Sequence, residues 1–390
     1  MKKRQIKIFT LIVTPILAGS IVFTTNQSLA SDSQNIPPAS AESSQSSSAT
    51  ETPKNTDVNS VLRLSLEDAL KSIETGNSTL QLTDSKILIY DKQYQQALAR
   101  HNANYSEVDE DSAKTRKLNH KRTLWTLENA KHDRDTQLED LKVQITNQYQ
   151  SILALQQQEA NLKVQLKNVD TLINQLNLQI DLGMTIQSQI YSLNAQRSSL
   201  DAGLKVTQNS VKSSMIALKR DLGIDLKREV VLASDLLAYE KFDDAELEEQ
   251  IAKAIENDYD NQRYEQDIEL TQIEYDIAFY YDNPSADQFQ ISVEDKKATL
   301  EALPVTKEVS LRTAYNNLKS LENSIEASKL AVEADEINME ILQKKVDIGV
   351  SSSIEMIEIQ NKLLNDQYTL LQNINSYMAA KASFTNSLDI

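Results

Sequence analysis

Residues 138–183 read LEDLKVQITNQYQSILALQQQEANLKVQLKNVDTLINQLNLQIDLG, and the spacing within this stretch decides the fold. Leu138, Leu141, Ile145, Gln148, Ile152, Leu155, Glu159, Leu162, Leu166, Val169, Ile173, Leu176 and Ile180 follow a 3-4 alternation, and only Gln148 and Glu159 break its apolar character. An apolar seam repeating every seven residues, with charges and amides between, is the signal of a long helix in a coiled coil. The same seam returns at Leu311, Ala314, Leu318, Leu321, Ile325, Ser328, Val332, Asp335, Met339, Leu342 and Val346, each displaced by 166 from its counterpart. Asp181-Leu182-Gly183 likewise becomes Asp347-Ile348-Gly349, and Leu222 becomes Leu388. Near the start of each half the shift is 182, matching Lys71 to Lys253 and Glu74 to Glu256. A copied register, beyond shared composition, marks two tandem repeats of one ancestral unit.

Helix breakers agree with this reading. No proline falls between Pro53 and Pro284, and that run holds only Gly76, Gly183, Gly203 and Gly223. Sheet proteins need turn residues far more often. The expected fold is therefore all-α: elongated antiparallel coiled-coil helical hairpins in two tandem repeats, with no β-barrel. The first repeat is assigned to 61–224, a linker to 225–243 and the second repeat to 244–390.

Within the first repeat, Ser65 with Asp68 three residues on predicts the start of a helix over 66–100. The polar stretch from His101 to Ser112 predicts a turn, followed by a helix of about 70 residues, roughly 100 Å long, ending at Leu182. Gly183 suits the left-handed position that terminates it, and a returning helix follows over 185–222. The equivalents are 244–280, 286–348 and 351–388. There Ser285 with Gln288 is the expected cap, Pro304 the expected kink, and Gln288–Val293 is read as helix with a short strand as the alternative. The two shorter helices of each repeat together match the long one, so they can stack end to end along its flank.

The amino terminus carries Lys2, Lys3, Arg4 and Lys7, then an apolar run from Ile8 to Phe23, then Ser28-Leu29-Ala30. That is the layout of a signal peptide, 1–30, cleaved after Ala30; an uncleaved anchor helix is the alternative. Residues 31–60, with nine serines and three prolines, form a Ser/Pro-rich segment too poor in apolar side chains to offset its ordering entropy, and read as a disordered linker. The expected location is extracytoplasmic, in the cell envelope or at the cell surface.

Composition excludes several functions. With no Cys, thiolate metal sites, redox pairs and lipoprotein anchoring are ruled out. His101, His120 and His132 are the only histidines, lie in a charged window, and are expected as solvated surface side chains instead of ligands or a catalytic base. Trp125, the only tryptophan, is expected to pack on a neighbouring helix. Asp109, Glu110 and Asp111 lack the glycine and spacing of an EF-hand loop. A net charge of −17 repels phosphate backbones, so nucleic acid is not an expected partner. Ribbons of heptads offer no concave pocket of converging polar groups, so no enzyme, cofactor or metal site is expected.

The duplicated hairpin, the glycine ending each long helix, Leu222-Gly223-Ile224 closing the first unit and Arg312-Thr313-Ala314-Tyr315-Asn316-Asn317-Leu318 in the second resemble TolC-type outer-membrane efflux proteins over most of 61–390. The resemblance implies a homotrimer forming a helical tube, working with a membrane-fusion adaptor and an inner-membrane or ABC transporter. It also implies strand pairs of an outer-membrane barrel at 101–112 and 281–285. A spanning strand needs about 9–11 residues, so neither loop holds a pair and insertion into an outer membrane is not supported. Aligned on Gly349, the family's lumen-facing acidic ring falls on Glu355 and Glu358, three apart on one helical face. The basic gate position falls on Ser351 and its first-half acidic partner on Gln189, so the interlocking gate is not reproduced. Lateral assembly needs a second stripe, for which Val143, Val164 and Leu178, or Ile357, Leu364, Leu371 and Met378, are candidates. The alternative function is an extracytoplasmic coiled-coil scaffold without transport activity.

Overall fold

A computed structural model describes residues 61–103, 106–182, 188–348, 350–351 and 353–388. The expected signal peptide, the Ser/Pro-rich linker, Gly183 and Gly349 lie outside these residues. All described residues belong to one unit. In order it contains β1 (Leu62–Leu64), α1 (Leu66–Gly76), α2 (Ser78–Asn102), α3 (Glu110–Lys117), α4 (Asn119–Asp181), α5 (Ser188–Asp221), β2 (Val230–Leu232), α6 (Leu247–Glu256), α7 (Tyr259–Tyr280), α8 (Ala286–Asp347) and α9 (Ser353–Ser387). The fold is all-α hairpins, without a barrel among the described residues.

The 3-4 seam is the buried one. Leu138, Ile145, Ile152, Leu162, Val169 and Leu176 are buried on α4, and Leu311, Leu318 and Ile325 on α8. Burying a Leu or Ile side chain contributes about 1.5–3 kcal/mol, so the seam dominates the packing of each hairpin. The short helices line the long one as anticipated: α1, α2 and α5 pack on α4, while α6, α7 and α9 pack on α8.

Three features depart from the sequence reading. The first opening helix breaks between Gly76 and Asn77, because the end of the repeat crosses there. A Cβ on Gly76 would lie 2.1 Å from the Leu222 carbonyl oxygen, Asn77 Nδ2 donates to the Asp221 carbonyl, and Asn77 Oδ1 accepts from Thr79 N and Leu80 N to start α2. Gly223 completes the crossing at φ +66°, a conformation open to glycine. The second opening helix splits at the matching place, where the Asp258 side chain accepts from Asp260 N to start α7.

The second departure is a two-stranded parallel pair, in which Leu62 to Leu64 align with Val230 to Leu232. Val-Val-Leu in the linker favours extended backbone, and Tyr149 fixes the pair. Its hydroxyl donates to the Leu64 carbonyl and accepts from Ala233 N and Ser234 N.

The third is α3, inside and beyond the expected turn. Asp109 accepts from Ser112 N while Ser112 Oγ bonds back at Asp109, a capping box; the backbone bond from Ser112 holds the Asp109 carboxyl below its ordinary value. Ser285, by contrast, makes no side-chain cap. Asn283 takes that place, its Oδ1 accepting from Ser285 N after Asp282 turns the chain at φ 51°. Gln288–Val293 is helical, and α8 continues as one element through Pro304.

Candidate functional site

In the half of the unit that contains α5 and α9, the helices form a ribbon in the order α5, α4, α9, α8. The two inner helices, one from each repeat, meet through amides. Asn161 Nδ2 donates to the Leu364 carbonyl at 3.4 Å, Gln165 Nε2 to Asn365 Oδ1 at 3.1 Å and Asn168 Nδ2 to Gln360 Oε1 at 3.0 Å, while Asn375 Nδ2 reaches the Gln150 carbonyl at 3.5 Å. Gln150, Asn161 and Gln165 are buried there. Net contributions of about 0.5–1.5 kcal/mol per bond, set against desolvation if a bond is lost, make this seam selective for one alignment of the repeats. The stripe was readable as amides at 157, 161, 165 and 168, spaced four, four and three, but the sequence reading sought only apolar stripes.

Both outer helices expose large apolar side chains. Leu330, Ile337, Ile341 and Ile348 on and just past α8, spaced seven, four and seven, are exposed, as are Tyr191, Val206 and Ile216 on α5. Of the stripes anticipated for lateral packing, Val164 and Leu178 are exposed on α4, whereas Ile357, Leu364, Leu371 and Met378 of α9 are half-buried, Met378 against the second-repeat core. The α8 stripe was missed because Asn316 and Asn323 interrupt its heptads toward the N-terminus.

Glu355 and Glu358 are exposed on the first turns of α9. They share a helical face, three residues apart, and precede Gln360, which meets α4 near its carboxyl end. Ser351 is half-buried; Gly183, Gly349 and the side chain of Gln189 lie outside the described residues. One buried charge interrupts the second seam. Asp335 accepts from Lys362 Nζ through both oxygens at 2.6 Å, and Lys362 also donates to Asp366 at 2.9 Å. The bond from Lys362 outweighs burial and holds the Asp335 carboxyl below its ordinary value.

At the far end of α4 the repeats are held by charge. Lys121 pairs with Glu269 and Arg122 with Glu274, so the basic run around 120 is answered by acids of α7. The histidines, expected to be solvated, are half-buried and stacked: His101 on His120 with ring centroids 3.8 Å apart, and His132 on Tyr259 at 3.6 Å. Trp125 packs against Leu270 and Ile277 of α7, as expected of it. Where the resemblance implies strand pairs, the described residues form a bend, the start of α3 and the tight turn after α7. Among the described residues no helix is long and apolar enough to cross a membrane, and no group of three or more acids and histidines is placed to hold a metal ion.

No family model matches the chain, and no curated protein does. Solved structures match over most of its length. The outer membrane protein VceC of Vibrio cholerae is 13% identical with a TM-score of 0.63, over 83% of this chain and 95% of that one. The outer membrane channel CmeC of Campylobacter jejuni is 10% identical with a TM-score of 0.67, over 83% and 85%. The open-state outer membrane channel MtrE of Neisseria gonorrhoeae is 10% identical with a TM-score of 0.65, over 83% and 88%. The chain therefore has the helical fold of TolC-type outer-membrane efflux channels.

Proposed function

We propose that this chain, built on the fold of TolC-type channels, is a subunit of an exported helical conduit in the cell envelope. Three copies would join edge to edge, α5 of one against α8 of the next. The observation that carries the reading is the four-helix ribbon whose inner helices meet through amides while both outer helices expose large apolar side chains. Exposed apolar stripes mark association surfaces, and two different edges on one chain give a head-to-tail contact, which makes a ring where the rotation between copies closes. In that ring Glu355 and Glu358 of each copy would surround one mouth and favour cations. A membrane-fusion adaptor and an inner-membrane or ABC transporter are the proposed partners.

A second reading, a scaffold of the envelope without a lumen, draws support from α3 and the tight turn that stand where strand pairs would. Electron micrographs of the purified protein separate the two. The conduit reading expects threefold particles with an axial hole, and rods without a hole would leave the scaffold.

A further inference from the structure

At the end of the unit where α2, α3, α4 and α7 meet lies a cavity of about 630 Å³ with the His101 and His120 rings in its wall. The rings come from different helices, the last turn of α2 and the first turn of α4, and their planes differ by 29°. His101 Nδ1 donates to the Arg116 carbonyl, which fixes its proton on that nitrogen. His120 Nδ1 is buried and finds no hydrogen-bond partner among the described residues. A proton placed there would become a buried donor without an acceptor.

The surroundings oppose positive charge. Arg116 and Lys117 of α3 and Lys121 of α4 line the same cavity, with Glu107 from the segment before α3, Asp276 and Tyr280 from α7, and Tyr281 just past it. Of the acids lining the cavity, Glu107 is paired with Lys117 at 2.8 Å and Arg116 at 3.6 Å, and Asp276 accepts from Gln272 at 2.9 Å. Burial first, then His101 and Lys121, hold His120 below the ordinary histidine value.

We infer that the His101–His120 stack is an acid-sensitive latch: protonation drives the two rings apart and frees α3 from α4 and α7. With the folded value of His120 below the unfolded one, the latch is intact above about pH 6.5 and weakens as pH falls from there toward the folded value. Release uncovers the core beneath, in which Ala113 and Leu118 pack with Trp125, Leu270 and Ile277.

Trp125 is the only tryptophan, so all tryptophan emission comes from this core. Its fluorescence, followed from about pH 8 to about pH 5 across the histidine range, is expected to shift to the red by several nanometres in the unaltered protein and to stay fixed in the double variant His101→Phe, His120→Phe. His132→Phe, which alters the ring on Tyr259 near Trp125, is expected to keep the shift. No shift in the unaltered protein, a shift surviving in the double variant, or its loss in His132→Phe would each overturn the latch. Should the double variant not fold, imidazole NMR of the unaltered protein decides. His120 titrating below the ordinary histidine value, together with loss of amide protection over 110–117, supports the latch; titration at or above that value contradicts it.

Discussion

The two long helices share one register and fill it differently. Tyr149 of α4 and Tyr315 of α8 are equivalent by the shift of 166, yet the first is fully buried and holds three backbone groups, while the second donates to the Asp244 carboxylate at 2.8 Å near the surface. Val169 is buried in the first seam where Asp335 is buried in the second. Gly76 admits a crossing chain where Asp258, its equivalent by the shift of 182, caps a helix. Duplication kept the spacing of the seam and left the chemistry of single positions free to diverge. The first repeat is closed by backbone crossing and strand pairing, the second by side-chain charge.

The sharpest break in this comparison is at the crossing. Gly76→Ala forces a Cβ against backbone and is expected to cost about 2–4 kcal/mol, whereas Asp258→Ala removes a cap and is expected to cost about 1 kcal/mol; denaturant midpoints measure both. The tyrosines come next. Tyr149→Phe leaves Ser234 N unpaired, while Ala233 N still donates to the Leu64 carbonyl, and should cost about 1–3 kcal/mol, against under about 1 kcal/mol for Tyr315→Phe; equal losses would refute the assigned difference.

Copying the first seam into the second with Asp335→Val, Lys362→Gln and Asp366→Leu is expected to raise the melting temperature by about 2–5 °C, since apolar replacement of a buried ion pair is neutral to stabilising. Smallest is the acid response. Because Lys362 depresses the folded value of Asp335, this contribution is complete above about pH 4 and is lost as pH falls below it. The triple variant should therefore unfold at lower pH than the unaltered chain.

Much of this was legible in sequence because a heptad states its buried face directly. Leu138, Ile145, Ile152, Leu162, Val169 and Leu176, and Leu311, Leu318 and Ile325, are buried where the spacing put them, with seam positions such as Leu141, Leu155, Leu166 and Leu321 half-buried between them, and Ser65 caps α1 as anticipated, accepting from Asp68 N. What escaped depended on partners far along the chain. Gly76 and Asn77 read as helix because only the crossing of Leu222 and Gly223 makes them a break. Asp109 with Ser112 was a helix start hidden in a polar stretch, and α3 was lost with it. The amide seam escaped for an energetic reason: Asn161, Gln165 and Asn168 look like solvated positions until Gln360 and Asn365 of the other repeat stand opposite. Glu355 and Glu358 were singled out by the resemblance, and their spacing puts them on one helical face, but a ring needs other copies, which one chain's sequence does not display.

Closure of the apolar edges into a ring is measured most directly by the mass in solution of the chain from residue 31 onward at increasing concentration. Three copies per particle are expected, with Ile337→Lys and Ile341→Lys together returning the mass to that of one chain. A single-chain mass for the unaltered protein at every concentration would contradict the account.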